Sequence, residues 1–248
     1  MSIKNKLNYY LRKFGVELHG SNYLQALAKG HFKKNEFDFF KQIFGNKPIV
    51  IYDVGANRGD TIVKFLEHFP SSTIIAFEPV TYLCEGLRKL FHDNTNIKIE
   101  NVGISDSTGE LIFHLNKSID TSSFLPSQKT GLNSDAQVKT IEQKKMPVKT
   151  LAQSYLEENI EQIHILKLDI QGSELKALKG AENLLKEKKI DIIYTEAYFI
   201  QQYVDQPLFP EIALYLSNFG YRLQDIYNPI YGKGKIAWCD AIFVNENF

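Results

Sequence analysis

Ile49-Val-Ile-Tyr-Asp-Val-Gly-Ala-Asn-Arg-Gly59 is an apolar run broken off by a small, glycine-rich turn. Residues 61–69 follow with helical patterning. A second apolar run, 73–77, then ends in Glu78-Pro79. A buried strand, a turn holding Gly55 and Gly59, a helix and an acid closing the next strand describe a nucleotide-type site. The glycines let backbone pass close to a ligand, and the helix start presents free N–H groups. Glu78 can accept both hydroxyls of a ribose.

The same alternation continues outward from this unit. Strands are predicted at 49–54, 73–78 and 97–102, with helices at 61–69 and 81–91. The turn Ser105-Asp-Ser-Thr-Gly109 leads into an additional strand at 110–115. Residues 116–140 are rich in Ser, Thr, Asn and Gln without periodicity, which predicts a functional lid or a partly disordered segment. A helix to about 159, a strand at 164–170, a helix at 173–188, a strand at 191–195 and a helix at 207–219 closed by Gly220 come next. Two last strands, 221–227 and 237–244, joined by Tyr231-Gly-Lys-Gly234, make a terminal hairpin. Strand–helix alternation means a parallel sheet with helices on both faces. The expected fold is α/β, with seven strands in a Rossmann-like sheet over residues 48–248. Residues 1–47 carry Leu7, Tyr10, Leu11 and Phe14, then Phe37, Phe40, Ile43 and Phe44, at helical spacing and are expected to form a short helical extension.

In an open α/β sheet the ligand sits beyond the carboxyl ends of the strands, at the switch point. The predicted strand ends bring Asp53, Glu78, Asn101-Val102-Gly103, Asp169 and Glu196 to one rim. A dinucleotide site wants G-x-G-x-x-G, but this turn is G-A-N-R-G bracketed by Asp53 and Asp60. Two carboxylates repel a diphosphate and suit a cation such as the methionine ammonium of S-adenosylmethionine. On that reading Asp53 holds the sulfonium side or the amino group, and Asn57 and Asp60 touch the methionine moiety or cap the helix. Glu78 binds the ribose while Pro79 turns the chain, and Asn101, Val102 and Gly103 flank the adenine, with Asn101 or Asp106 either meeting its amino group or only stabilising the turn. Asp169 is the first candidate for a general base on an acceptor hydroxyl and Glu196 the second. A divalent metal held by the same acids is the alternative not favoured. Of the six histidines, His164 opens a core strand and reads as structural, while His114 borders the polar stretch and stays open.

Bulk properties narrow the partners. Lys plus Arg and Asp plus Glu both number 29, so the formal net charge is zero and the basic excess of nucleic-acid binders is missing. Cys84 and Cys239 lack a metal-ligand spacing and fit a reduced, cytoplasmic compartment. No apolar run approaches the ~20 residues of a membrane span. The first ten residues carry no signal-peptide core. The expectation is therefore no nucleic acid and no stable membrane insertion, with oligomeric state open.

Asp53-Val-Gly-Ala-Asn-Arg-Gly-Asp60, Phe77-Glu78-Pro79, Val102-Gly-Ile-Ser-Asp106 and Leu166-Lys-Leu-Asp-Ile-Gln-Gly-Ser-Glu174 resemble the FkbM family of S-adenosylmethionine-dependent methyltransferases. The resemblance continues through Leu178-Lys-Gly-Ala181 and Asp240-Ala-Ile-Phe-Val244, over roughly residues 48–245. The first motif is shared by many methyltransferases, whereas K-x-D-x-Q-G-x-E followed by L-K-G-A is much more specific. Membership implies the seven-stranded class I methyltransferase sheet and O-methylation of a hydroxyl. The acceptor is commonly a sugar of a surface glycan or glycolipid, which suggests polysaccharide biosynthesis, or else a polyketide or other secondary metabolite. Residues 1–47 and 116–145, where the resemblance is weakest, are expected to select the acceptor. Two rival classes are a nicotinamide-dependent oxidoreductase, disfavoured by the missing third glycine, and a non-catalytic binding subunit, disfavoured by acids at the strand ends.

Overall fold

The computed structural model describes residues 35–128, 138–232 and 234–247. Its contacts divide the chain into Met1–Gly45 and Asn46–Phe248. In the first unit, helix α1 (Glu36–Phe44) starts at Asn35, whose side chain accepts a hydrogen bond from the Asp38 N–H at 2.8 Å. Phe37 and Phe40 meet edge-on with ring centroids 5.9 Å apart. The helical spacing of Phe37, Phe40, Ile43 and Phe44 thus corresponds to a real helix. The set Leu7, Tyr10, Leu11 and Phe14 lies outside the described residues.

The second unit runs β1 (Val50–Val54), α2 (Asp60–His68), β2 (Thr73–Phe77), α3 (Thr81–Leu90), β3 (Ile97–Glu100), β4 (Gly103–Ile104), β5 (Gly109–Asn116) and β6 (Thr140–Lys149). It continues with α4 (Leu151–Glu158), β7 (Ile163–Leu168), α5 (Glu174–Lys179), α6 (Glu182–Lys186), β8 (Ile190–Tyr198), α7 (Phe209–Ser217), β9 (Tyr221–Gly232) and β10 (Lys235–Asn245). Seven strands form one sheet in the order β3-β2-β1-β7-β8-β10-β9. All the neighbouring pairs from β3 to β8 are parallel, and β10 runs antiparallel to β8 and β9. The expected class I methyltransferase sheet is therefore present, with its switch point between β1 and β7. A smaller sheet, β4-β6-β5, stands beside it.

The continuous apolar runs of β1, β2, β7 and β8 are what a sheet buried on both faces requires. Tyr52 and Val54 of β1, Leu166 and Leu168 of β7, and Ile193 and Ala197 of β8 point to one face. There they join Leu151, Leu178, Leu185, Ile212 and Leu216 from α4 to α7 in a single core. Each fully buried aliphatic side chain adds about 1.5–3 kcal/mol, so this face carries much of the stability. Because strand side chains alternate, Asp53 and Lys167 face the other way, and the register pairs them directly.

Three elements differ from expectation for local reasons. The helix predicted over 173–188 is broken into α5 and α6 at Gly180. A Cβ there would sit 2.2 Å from the Ser105 carbonyl oxygen, and the Gly180 carbonyl accepts the Ala152 N–H at 3.1 Å. Close backbone contact, not helix propensity, decides that position. Strand β6 was hidden in the sequence because most of it is exposed and polar. Finally β9 runs on past Tyr227 through Asn228-Pro229, a pair that reads as a breaker. Pro229 is tolerated because β9 is the sheet edge, where no neighbour needs its missing N–H.

Candidate active site

The site starts where β1 leaves the sheet. The N–H groups of Gly55 and Ala56 both donate to the Phe77 carbonyl, at 3.0 and 3.1 Å. Gly55 has φ 82°, and a Cβ on it would lie 2.0 Å from the Asp169 carbonyl oxygen. Gly59 has φ 89°, and its Cβ would press on Leu87 of α3 at 2.7 Å. The sequence suggested that a ligand demanded both glycines. The structure supplies a different reason: each makes room for the protein's own chain. Asn57 is left-handed at φ 48° and donates its N–H to Glu78 Oε2 at 2.9 Å. The Val80 N–H donates to Glu78 Oε1, also at 2.9 Å. Burial pushes the Glu78 carboxyl above its ordinary range, and these two N–H groups hold it back.

Beyond this turn opens a cleft with about 840 Å³ of empty space, its open mouth included. One wall is apolar, from Val80, Leu83, Ile104, Phe113 and Phe124, with Pro79, Val102 and Gly103 beside it. Polar groups come from Asn57, Glu78, Asp120, Asp169, Gln171 and Glu196. A second recess at the start of α2 is lined by Arg58, Asp60 and Lys167 and shares Gly55, Asn57, Asp120 and Asp169 with the first. Asp169 therefore stands where the two cavities meet.

Three expected contacts line neither cavity. Gly59 packs on α3. Asn101 donates from Nδ2 to the carbonyls of Glu78 and Pro79 at 3.0 and 2.9 Å and accepts from Thr81 Oγ1 at 3.0 Å, so it braces the turn after β2. Asp53 is fully buried and paired with Lys167 Nζ at 2.9 Å. The same ammonium donates to the Gly55 carbonyl at 3.0 Å and lies 3.7 Å from Asp169. Burial alone would lower the Lys167 pKa, but Asp53 and then Asp169 outweigh it and raise it. Asp53 thus reaches the site through Lys167. That ammonium takes the place between Asp53 and Asp169 that a cation would occupy. Among the described residues no three His, Cys, Asp or Glu groups are placed to hold a metal ion.

At the far end, Gln171 Nε2 donates to Asp169 Oδ1 at 3.1 Å and to Glu196 Oε2 at 2.9 Å. Tyr198 donates its hydroxyl to the same Glu196 oxygen at 2.6 Å. Burial first, then the charges of Asp169 and Glu174, lift the Glu196 carboxyl well above its ordinary range. Asp169 remains 46% exposed. Residues 116–128 pass over this end as a strap. Asp120 accepts from Asn57 Nδ2 at 2.9 Å and Arg58 at 2.7 Å, and Ser123 Oγ donates to the Gln171 carbonyl at 2.7 Å. The segment expected to be a lid therefore meets the cleft over these residues, and 129–137 lie outside the described ones. His164 Nδ1 accepts the Val50 N–H at 3.0 Å and ties β7 to β1, as its structural reading required. His114 is buried in β5 against Gln143 and lines neither cavity.

Glu174 lies just behind the acids. Its Oε1 accepts the N–H groups of Ile170 and Gly172, both at 3.1 Å, while Oε2 is buried without a hydrogen-bond partner. Burial pushes its carboxyl up to about 7. A carboxyl raised in the folded state stabilises that state below its ordinary pKa and loses the contribution as pH rises through the folded value. Stability should therefore fall between about pH 5 and pH 8, by roughly 1–3 kcal/mol from this group. Glu174→Gln keeps the accepting oxygen and should remove that part of the slope, as urea unfolding at both pH values will show. An unaltered slope would mean that Glu174 is ionised throughout.

The sequence did not point to Lys167 as the partner of Asp53, to Asp120, or to the bridging role of Gln171. A lysine inside the apolar strand Ile163–Leu168 was the available signal, because a buried ammonium demands an acid.

Comparison with known proteins follows this geometry. The Methyltransferase FkbM domain matches residues 53–223. The 2-O-methyltransferase NoeI of Sinorhizobium fredii is 26% identical over 166 residues, which cover 64% of this chain and 65% of that protein. The fold is similar to magnesium protoporphyrin IX methyltransferase from Synechocystis PCC 6803, with TM-score 0.48, 8% identity, and 99% and 98% of the two chains covered. It is also similar to the 1,6-didemethyltoxoflavin-N1-methyltransferase of Burkholderia thailandensis, with TM-score 0.46, 11% identity, and 99% and 91% covered. Structural likeness this distant says nothing of acceptor or site. The chain spans just under two thirds of the length of the NoeI relative. The match over residues 53–223 does decide the family: the chain belongs to the FkbM methyltransferase family.

Proposed function

We propose that this methyltransferase acts on a hydroxyl of a sugar in a surface glycan or glycolipid, with Asp169 as the general base. The observation that carries the reading is the place of Asp169. It is an exposed carboxylate at the junction of two cavities, one of which has the features of a cofactor cleft. Asp120, Ser122, Gln171 and Glu196 add hydrogen-bonding groups around that junction, which suits a polyhydroxylated acceptor. The name of the NoeI relative, a 2-O-methyltransferase, points the same way.

The residues present fit S-adenosylmethionine. Glu78 keeps lone pairs for the ribose hydroxyls although both its oxygens already accept backbone N–H groups. The Asn57 carbonyl oxygen is buried without a hydrogen-bond partner, which suits an ammonium. Val80, Leu83, Phe113 and Phe124 offer apolar faces for adenine. When bound, the cofactor supplies an electrophilic methyl group on a sulfonium. The chain's own task is then to hold the acceptor hydroxyl at Asp169 and take its proton as the oxygen becomes a nucleophile. Lys167 places its ammonium 3.7 Å behind Asp169, and the strap crosses the junction.

A ligand that binds only the folded state raises the melting temperature by mass action. S-adenosylmethionine and S-adenosylhomocysteine should both do so, with little response to NAD. Glu78→Ala should weaken S-adenosylhomocysteine binding by about 1–3 kcal/mol in calorimetry. No thermal response to either compound at millimolar concentration would sink the cofactor cleft, and an unchanged affinity in Glu78→Ala would move the ribose elsewhere.

A further inference from the structure

Gln171 is held in an unusual state for its residue type. Its φ is 54°, in the left-handed region where glycine and asparagine are at home. Yet both N–H groups of its side-chain amide are used, and its oxygen has a donor as well. Nε2 donates to Asp169 Oδ1 and Glu196 Oε2, while Oε1 accepts from Tyr203 at 2.7 Å and lies 3.2 Å from the Tyr198 hydroxyl. Its main-chain carbonyl takes the strap's Ser123 hydroxyl. A turn that needed only the backbone shape would be served by glycine. The glutamine is there for its reach.

We propose that Gln171 is a positioning residue that binds the Asp169 and Glu196 carboxylates into one coupled pair and fixes that pair to the strap. The inference rests on the reading of this cleft as the methyl-transfer site. Two bonds of 3.1 and 2.9 Å to one nitrogen keep the accepting oxygens within about 6 Å of each other, close enough for each charge to act on the other. Tyr198 has one proton, and the shorter contact sends it to Glu196 at 2.6 Å. Tyr203 serves Gln171 Oε1 instead, and its oxygen lies 3.0 Å from the strap carbonyl of Thr121. Glu196 is faced by Lys167 from β7, Asp169 just past its end, Glu174 from α5, Asp240 from β10, Tyr198 on its own strand and Tyr203 from the following loop. Among the described residues, only the Gln171 amide hydrogen-bonds to both acids. Its loss leaves Glu196 with one donor fewer for its charged form, and its ionisation becomes harder.

The test is a carboxyl-¹³C NMR titration of the full chain with calorimetry of S-adenosylhomocysteine beside it. Gln171→Asn keeps a residue suited to the left-handed turn but draws the amide back by one methylene. The Glu196 midpoint should rise by about one pH unit, with the melting temperature nearly kept. Asp169→Asn, a change at an exposed side chain, should lower the Glu196 midpoint because a neighbouring negative charge disappears. A merely structural Gln171 would lower the melting temperature and leave both midpoints where they were. A Glu196 midpoint that ignores either substitution overturns the proposal. If the midpoints move while the wild-type protein fails to bind S-adenosylhomocysteine, the coupled pair stands and the cofactor reading falls.

Discussion

Asp169→Asn is expected to lower kcat by about 10²–10⁴, the span of a positioned general base, while S-adenosylhomocysteine affinity stays nearly unchanged. A base must be ionised at working pH and reachable by the proton it takes. Asp169 is half-exposed between the cavities and has a cationic neighbour in the Lys167 ammonium 3.7 Å away. Glu196 meets these conditions poorly, because burial and the neighbouring acids raise its carboxyl well above the ordinary range. Asparagine is nearly isosteric and leaves an oxygen for Gln171 Nε2, so the network survives while the proton acceptor is lost. The pH–rate profile should lose its acidic limb in this variant. Full turnover in Asp169→Asn, with loss in Glu196→Gln, would transfer the role to Glu196. Loss of wild-type activity to a chelator, with recovery on adding magnesium, would replace a bare carboxylate with metal-assisted chemistry.

The fold was legible because the strands that decide it are mostly apolar and their intervening helices are amphipathic. Such patterns mark β1, β2, β7 and β8 regardless of context. Strand β6 and the continuation of β9 through Pro229 were not legible, since solvent-exposed strand positions put few demands on side chains. The site was legible by position more than by role. Residues at strand ends gather at one rim in any open α/β sheet, so Glu78, Asp169 and Glu196 were found. What each touches depends on cross-strand register and loop path. Nothing local in Asp53 shows that its partner lies more than a hundred residues away on β7. Gly55 and Gly59 were recognised as necessary, but sequence shows that a Cβ is forbidden and not that the chain's own atoms already forbid it. Asn101, taken for an adenine contact, braces the chain after β2.

The Asp53–Lys167 pair should show how strongly the site depends on a contact that lines no part of the cleft with its acid. Asp53 is completely buried and Lys167 nearly so, with Nζ 2.9 Å from Oδ1. In such surroundings the attraction is offset by the cost of desolvating both ions, so the intact pair adds little net stability. Removing one partner is another matter. Lys167→Met fills a similar volume but leaves a carboxylate in the sheet with no cation, and deprives the Gly55 carbonyl of its donor. The expected loss is about 3–5 kcal/mol in urea unfolding. Asp53→Asn combined with Lys167→Met removes both charges and should recover most of that loss, giving a coupling energy far from additive. The double variant should nevertheless turn over slowly, because the ammonium that stands beside Asp169 and holds the Gly55 carbonyl is gone. A single Lys167→Met variant as stable as wild type would show that Asp53 takes up a proton at little cost and that the ion pair does not hold the turn. Equal losses in the single and double variants would instead place the effect in the packing of the lysine stem.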